Sequence, residues 1–166
     1  APEEARMIHL ARQINDSQPH RVVRAILGWV ERLAAEGPRP VRLALLGLTY
    51  KPDVDDMRES PSVEIALELE RHAAQGAPLE LRVCDPHVKS WKGQAPLLPL
   101  DTALEGADLL VLLTHHREFA RIEPAALRSR MRAGGVFDTR NQFDAAAFEA
   151  AGLRVQTLGR GTPRGE

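Results

Sequence analysis

Five short apolar runs separated by stretches of helical length constrain this chain more than any other feature. The runs are Val41 to Gly47, Leu79 to Cys84, Asp108 to Leu113, Gly135 to Asp138 and Leu153 to Gln156. Most are rich in Leu and Val, as a strand covered on both faces requires. Between them Pro61 to Ala74, Thr102 to Gly106, Pro124 to Arg132 and Asp144 to Ala150 carry helical patterns. Ser60 stands in the cap position of the first of these, with Glu64 and Glu68 on its polar side. Strands and crossovers alternating in this way predict an α/β fold, a Rossmann-like doubly wound parallel sheet of about five strands. The Leu-Leu-Val-Leu-Leu run after Asp108 is the most apolar and belongs at the centre of the sheet, with Leu153 to Gln156 at an edge. Aromatic residues make up only 4% of the chain, so Leu, Val, Ile and Ala must fill the core. That suits helix-covered parallel strands better than an aromatic-rich sandwich.

Ahead of the sheet, residues 5–35 read as helix. Ile8, Ala11 and Ile14 form one apolar stripe, and Val22, Val23, Ile26, Val30, Leu33 and Ala34 form another. Between them Asp16-Ser17-Gln18-Pro19 predicts a kink or a restart, with Ser17 capping a new helix and Pro19 in its first turn. Gly37-Pro38-Arg39-Pro40 then breaks the pattern. The expected divisions are a long or kinked helix over 1–36, an α/β domain over 37–160 and a flexible tail over 161–166. The acidic opening Ala1-Pro2-Glu3-Glu4 has no initiator Met and runs straight into helix, so it reads as the cut end of a longer protein.

Charge and cysteine usage exclude several classes. With 22 basic and 23 acidic side chains the net charge is -1, so no basic field exists to hold nucleic acid. No apolar stretch approaches a membrane span, and the acidic start is unlike a signal peptide. The single cysteine, Cys84, provides neither a disulfide framework nor zinc-ligand spacing, which fits a reducing cytoplasm.

Ligands of doubly wound sheets sit at the carboxyl ends of the strands, which directs attention to the residues after Gly47, Cys84, Leu113 and Asp138. The loop Gly47-Leu48-Thr49-Tyr50-Lys51-Pro52-Asp53-Val54-Asp55-Asp56-Met57-Arg58-Glu59-Ser60-Pro61 is long for a strand-to-helix turn and crowded with charge. It has neither the three glycines of a dinucleotide fingerprint nor a P-loop. Lys51 and Arg58 stand where a strand end and a helix start favour anions. On composition alone, Asp53, Asp55, Asp56 and Glu59 could instead neutralise them in a solvated cluster of ion pairs.

The residue order of that loop resembles the signature opening the C-terminal domain of the UDP-glucose/GDP-mannose dehydrogenase family, Gly-Leu-x-aromatic-Lys-x-x-x-x-Asp-x-Arg-x-Ser. Three further segments resemble the family in the same order: Asn15-Asp16, Asp85-Pro86, and Phe137-Asp138-Thr139-Arg140-Asn141. The resemblance implies that Tyr50, Lys51 and Arg140 bind a nucleotide sugar and that Arg58 faces the NAD side. Lys and Arg at strand ends suit a diphosphate, which takes charge-assisted hydrogen bonds. It further implies that residues 1–36 end a central linker and dimerisation helix, that 37–160 bind the UDP-sugar, and that the whole protein is a homodimeric NAD-dependent UDP-sugar 6-dehydrogenase. Such enzymes oxidise the C6 alcohol to a carboxylate with two NAD through a cysteine in a Gly-Gly-x-Cys segment. Gly134-Gly135 is followed by Val136, so that segment is absent here and the fragment is expected to be inactive alone. Glu59-Ser60-Pro61-Ser62 and a His-x-x-Phe segment at His116 to Phe119 resemble members acting on N-acetylated sugars. UDP-N-acetylmannosamine is therefore the expected substrate, with UDP-N-acetylglucosamine or UDP-glucose as alternatives.

The remaining polar candidates carry weaker expectations. Asp55 and Asp56 read as braces for the arginine rather than as bases or metal ligands, and Asp85 as the cap of a turn at Pro86. Thr114 and His115 either face the nucleotide or form a polar loop. The adjacent His115 and His116 lack a third ligand nearby, so no metal is expected. His20, His72 and His87 read as surface residues, and Cys84 as a small buried apolar residue. A different class remains open, a flavodoxin-like receiver or interaction module, although no phosphorylatable Asp follows Leu113.

Overall fold

A computed structural model describes residues 2–159 of the chain; the expected tail over 161–166 lies outside them. The strands are β1 (Val41–Leu46), β2 (Leu79–Cys84), β3 (Leu109–Leu112), β4 (Gly135–Asp138) and β5 (Arg154–Thr157). The helices are α1 (Pro2–Glu36), α2 (Pro61–Ala74), α3 (Leu100–Leu104), α4 (Pro124–Arg130) and α5 (Ala145–Ala150). All strand pairs are parallel, in the order β2-β1-β3-β4-β5. The Leu-rich β3 is central, with all four residues buried, as its apolar sequence requires.

Alternation along the strands divides the core into two layers. Leu43, Leu45, Leu109 and Val111 face α1 and α2, packing on Ile26, Val30, Ile65 and Leu69. Ala44, Leu46, Leu110 and Leu112 face the opposite helices, packing on Ala103, Leu104, Leu127 and Phe148. At the amino edge of the sheet the buried Asp108 carboxylate accepts from the Arg42 amide at 2.8 Å and from Arg132 Nε at 2.8 Å.

The restart that Ser17 and Pro19 offered in the first helix does not occur. α1 runs continuously from Pro2 to Glu36 with Pro19 inside it, and the Ser17 hydroxyl donates back to the Ile14 carbonyl at 2.8 Å instead of capping a new helix. Pro19 has no N–H to give the Asn15 carbonyl, and its ring crowds that carbonyl. That loss is outweighed by packing, because eight residues from Pro19 to Ala34 are buried, seven of them in the core layer shared with the sheet and α2. Trp29 ties α1 to the edge strand, its Nε1–H donating to Gln156 Oε1 at 2.7 Å. Residues 2–16, by contrast, are exposed throughout, including Met7, Ile8, Leu10 and Ile14. Among the described residues no helix is long and apolar enough to cross a membrane.

Candidate functional site

The strand order reverses direction at β1 and β3, which are neighbours although β2 intervenes in the chain. Their carboxyl ends form the crevice in which doubly wound sheets take ligands. Gly47 leaves β1 with φ +97 and lies against Thr114, so close that only a residue without Cβ fits. The loop then closes on the ends of β2 and β3. Leu48 N–H donates to Asp85 Oδ2 at 2.7 Å, and the Thr114 hydroxyl donates to the Thr49 carbonyl at 2.8 Å.

A cleft of about 530 Å³ opens beside this crossing, between α1 and the strand ends. Asn15, Asp16 and Gln18 line it from the helix; Tyr50, Thr139 and Arg140 line it from the sheet. Arg140 is aimed by two local bonds. Its amide donates to Asp138 Oδ1 at 2.9 Å, and its Nε–H donates to the Leu113 carbonyl at 2.8 Å. The outer guanidinium nitrogens take no carboxylate partner among the described residues, and Lys51 likewise forms no ion pair there. Tyr50 and Arg140 therefore share the cleft, and exposed Lys51 stands next to Tyr50.

Arg58 faces elsewhere. It lines a separate hollow of about 700 Å³ with Asp55, Met57, Trp91 and Lys92. Its Nε and Nη2 each lie 3.0 Å from an oxygen of Asp56. This two-pronged bond holds the Asp56 carboxyl down at about 2. The loop is thus not one solvated cluster of ion pairs. Asp56 neutralises Arg58, Asp53 turns to another loop, and Lys51 is left over.

What the sequence reading missed lies under this loop. His116 is fully buried, its Nδ1 accepting the Asp53 amide N–H at 2.8 Å and its Nε2 meeting Asp85 Oδ2 at 2.9 Å. His115 next to it is exposed. His87 is half-buried rather than fully at the surface. Its ring lies 4.5 Å from that of His116 and its Nε2 is 3.1 Å from Glu118 and 3.9 Å from Asp53. Thr114 is buried with its hydroxyl spent on Thr49, so it does not face a ligand. Asp85 caps its turn as expected, accepting from His87 N–H at 2.9 Å, but also carries Leu48 and His116. Burial opposes its ionisation, and these three donors together still hold its pKa below the ordinary value. One signal was available, since Asp85 and His116 each follow a strand flanking β1.

Contrary to expectation, further potential metal donors stand near His116: Asp53, His87 and Glu118, with donor atoms within 4.8 Å of one another. Both His116 nitrogens are already committed, however; His87 Nε2 is hydrogen-bonded to Glu118, and Asp53 Oδ1 accepts the Arg117 amide. Cys84 is buried, which pushes its thiol up to about 12. Ser60 occupies the N-cap of α2, yet its hydroxyl makes no cap bond and is buried without a partner.

Comparison with known proteins adds to this geometry. The model of the UDP-glucose/GDP-mannose dehydrogenase family, UDP binding domain, matches residues 44–145. The chain is 38% identical over 154 residues to an NDP-N-acetyl-D-galactosaminuronic acid dehydrogenase of Ralstonia solanacearum, covering 90% of this chain and 33% of that protein. It is 39% identical over 137 residues to a UDP-N-acetyl-D-mannosamine dehydrogenase of Salmonella typhi, covering 78% of this chain and 31% of that protein. The solved structure of a UDP-N-acetyl-mannosamine dehydrogenase from S. aureus matches with a TM-score of 0.73 at 30% identity, over 95% of this chain and 34% of that one. The chain spans about a third of the length of these relatives.

Proposed function

The chain belongs to the UDP-glucose/GDP-mannose dehydrogenase family, whose UDP binding domain it matches, and from this premise we propose that it is the nucleotide-sugar-binding part of an NAD-dependent UDP-sugar 6-dehydrogenase. The observation that carries the reading is the pair of cations left without carboxylates at the sheet's reversal point. Arg140 is aimed into the cleft by the Leu113 carbonyl, and Lys51 is the exposed neighbour of Tyr50, which lines it. A diphosphate supplies the charge that both lack, and its oxygens match the donor geometry of a guanidinium. Asn15, Asp16 and Gln18 on the α1 wall offer polar partners to the sugar and ribose hydroxyls.

The catalytic apparatus is not carried by these 166 residues. The one cysteine is buried, and the β1-to-α2 loop has a single glycine, at 47, and offers no glycine-rich cradle for a dinucleotide pyrophosphate. In the whole protein NAD, the hydride acceptor, is then held chiefly by other parts of the molecule, with Arg58 presented to it from the hollow beside Trp91. The relatives named for UDP-N-acetylmannosamine make that sugar nucleotide the preferred substrate, ahead of UDP-N-acetylglucosamine and UDP-glucose. Residues 1–36 serve as the end of a linker helix through which two copies pair, in the cytoplasm, and polysaccharide precursor synthesis is the setting. A receiver module fits less well, because Leu113 is followed by Thr114 and not by an acceptor aspartate.

Titration of UDP onto the chain tests the core of the reading. Arg140→Ala and Lys51→Ala should each weaken binding about ten-fold or more, the worth of one charge-assisted bond. Affinity unchanged from the wild type in both variants would sink it.

A further inference from the structure

We propose that His116, which does not line the cleft, is a positioning residue that sets the Lys51 loop through the lone pair on its Nδ1; the proposal rests on the nucleotide-sugar reading above. The hydrogen-bond inventory fixes the ring's state. A carboxylate only accepts, so the Nε2 that lies 2.9 Å from Asp85 Oδ2 bears the proton. A backbone amide only donates, so the Nδ1 that lies 2.8 Å from the Asp53 nitrogen is bare. Thr49 Oγ1 is 3.3 Å from the same Nε2, but its own proton goes to the Lys51 carbonyl at 2.7 Å. The ring is fully buried, so no water can replace either partner.

The consequence falls on the turn that carries Lys51. Its leading end is stapled where Thr114 Oγ1 donates to the Thr49 carbonyl at 2.8 Å. Its trailing end is stapled twice, by His116 Nδ1 on the Asp53 amide and by the Arg117 amide, which donates to Asp53 Oδ1 at 2.8 Å. Asp53 has φ +61, a conformation that a residue with a side chain holds only where its surroundings impose it. His116 thus joins the loops after β1, β2 and β3 and holds the turn in the form that exposes Lys51 next to Tyr50. A second proton, on Nδ1, would set two donors against each other across that contact. The charged and titratable groups around the ring are Asp53, Asp85, His87, Arg117 and Glu118.

Two substitutions separate positioning from mere packing. In His116→Gln the amide nitrogen reaches the place of Nε2, keeping the donor to Asp85 and losing the acceptor for Asp53. In His116→Asn the amide oxygen reaches the place of Nδ1, keeping the acceptor and losing the donor. With UDP titrated onto each, His116→Gln should bind about ten-fold more weakly, and its folding midpoint falls as well because the Asp53 amide loses its acceptor. His116→Asn should hold its affinity within about two-fold while its midpoint falls, because Asp85 loses a buried donor. Wild-type affinity in His116→Gln, or a larger loss in His116→Asn than in His116→Gln, overturns the proposal. Amide exchange at Lys51 and Asp53, measured without ligand, provides an independent readout. It should quicken in His116→Gln but not in His116→Asn, and equal exchange in the two variants overturns the positioning role. If the wild type itself takes up no UDP, the functional reading fails by itself, and the exchange rates still decide whether His116 sets the loop.

Discussion

At Gly47 a Cβ would stand 2.4 Å from Thr114 Cβ and 2.6 Å from the Thr114 nitrogen, with the backbone at φ +97. Neither atom can move, since Thr114 is locked between Leu46 and Thr49. Gly47→Ala should therefore cost about 2–4 kcal/mol of stability, combining left-handed strain with overpacking, read as a lowered urea midpoint. The Arg58–Asp56 pair makes a second residue-scale prediction. The Asp56 carboxyl should titrate near 2 in an NMR pH series, and Arg58→Ala should return it toward the ordinary carboxylate range. Because the folded value is depressed, whatever the pair contributes is present above the ordinary carboxylate pKa and lost as pH falls through about 2. Arg58 is exposed and Asp56 nearly half so, so the contribution is small. Residue identity also limits what a sequence can tell. His115 and His116 are neighbours in the same turn, yet one is exposed and the other fully buried. Only the position of Asp85 and Asp53 in space decides which ring turns inward.

At the scale of elements, the strands were legible because their signal is local. A run such as Leu109–Leu112, buried at all four positions, has to be covered on both faces wherever it lies. The continuity of α1 was not legible, because Pro19 and Ser17 carry break signals that only tertiary packing overrides. Two halves of one helix consequently rest on different supports. From Val22 to Ala34 one face is buried against the sheet and α2, whereas residues 2–16 touch solvent along their whole length. Hydrogen exchange on the isolated chain should show protection falling steeply on the amino side of Pro19. Protection of residues 2–16 that rises with protein concentration is expected if two copies pair through this half, and its absence would remove that support for a dimer.

For the molecule as a whole, the flat arrangement of two helical layers around one parallel sheet brings all the loops of interest to one rim. Tyr50, Thr139 and Arg140 reach the cleft from two different strand ends, and α1 closes the third side. Which rim would matter was legible from the strand–helix alternation; the third wall was not, since it depends on where α1 packs. These 166 residues, incubated with NAD and UDP-sugars, should give no rise in reduced-cofactor absorbance, because the only thiol is buried and pushed up to about 12. Sustained turnover would contradict this. The uninterrupted α1 has a geometric meaning too. Its exposed half is a rod of about 22 Å, in which each residue advances the axis by about 1.5 Å and turns it by about 100°. Anything joined to its amino end is thereby held at a set reach and compass bearing from Arg140. Deleting a single residue from the rod would swing that attachment around the helix by more than a quarter turn, while the sheet and cleft stayed untouched.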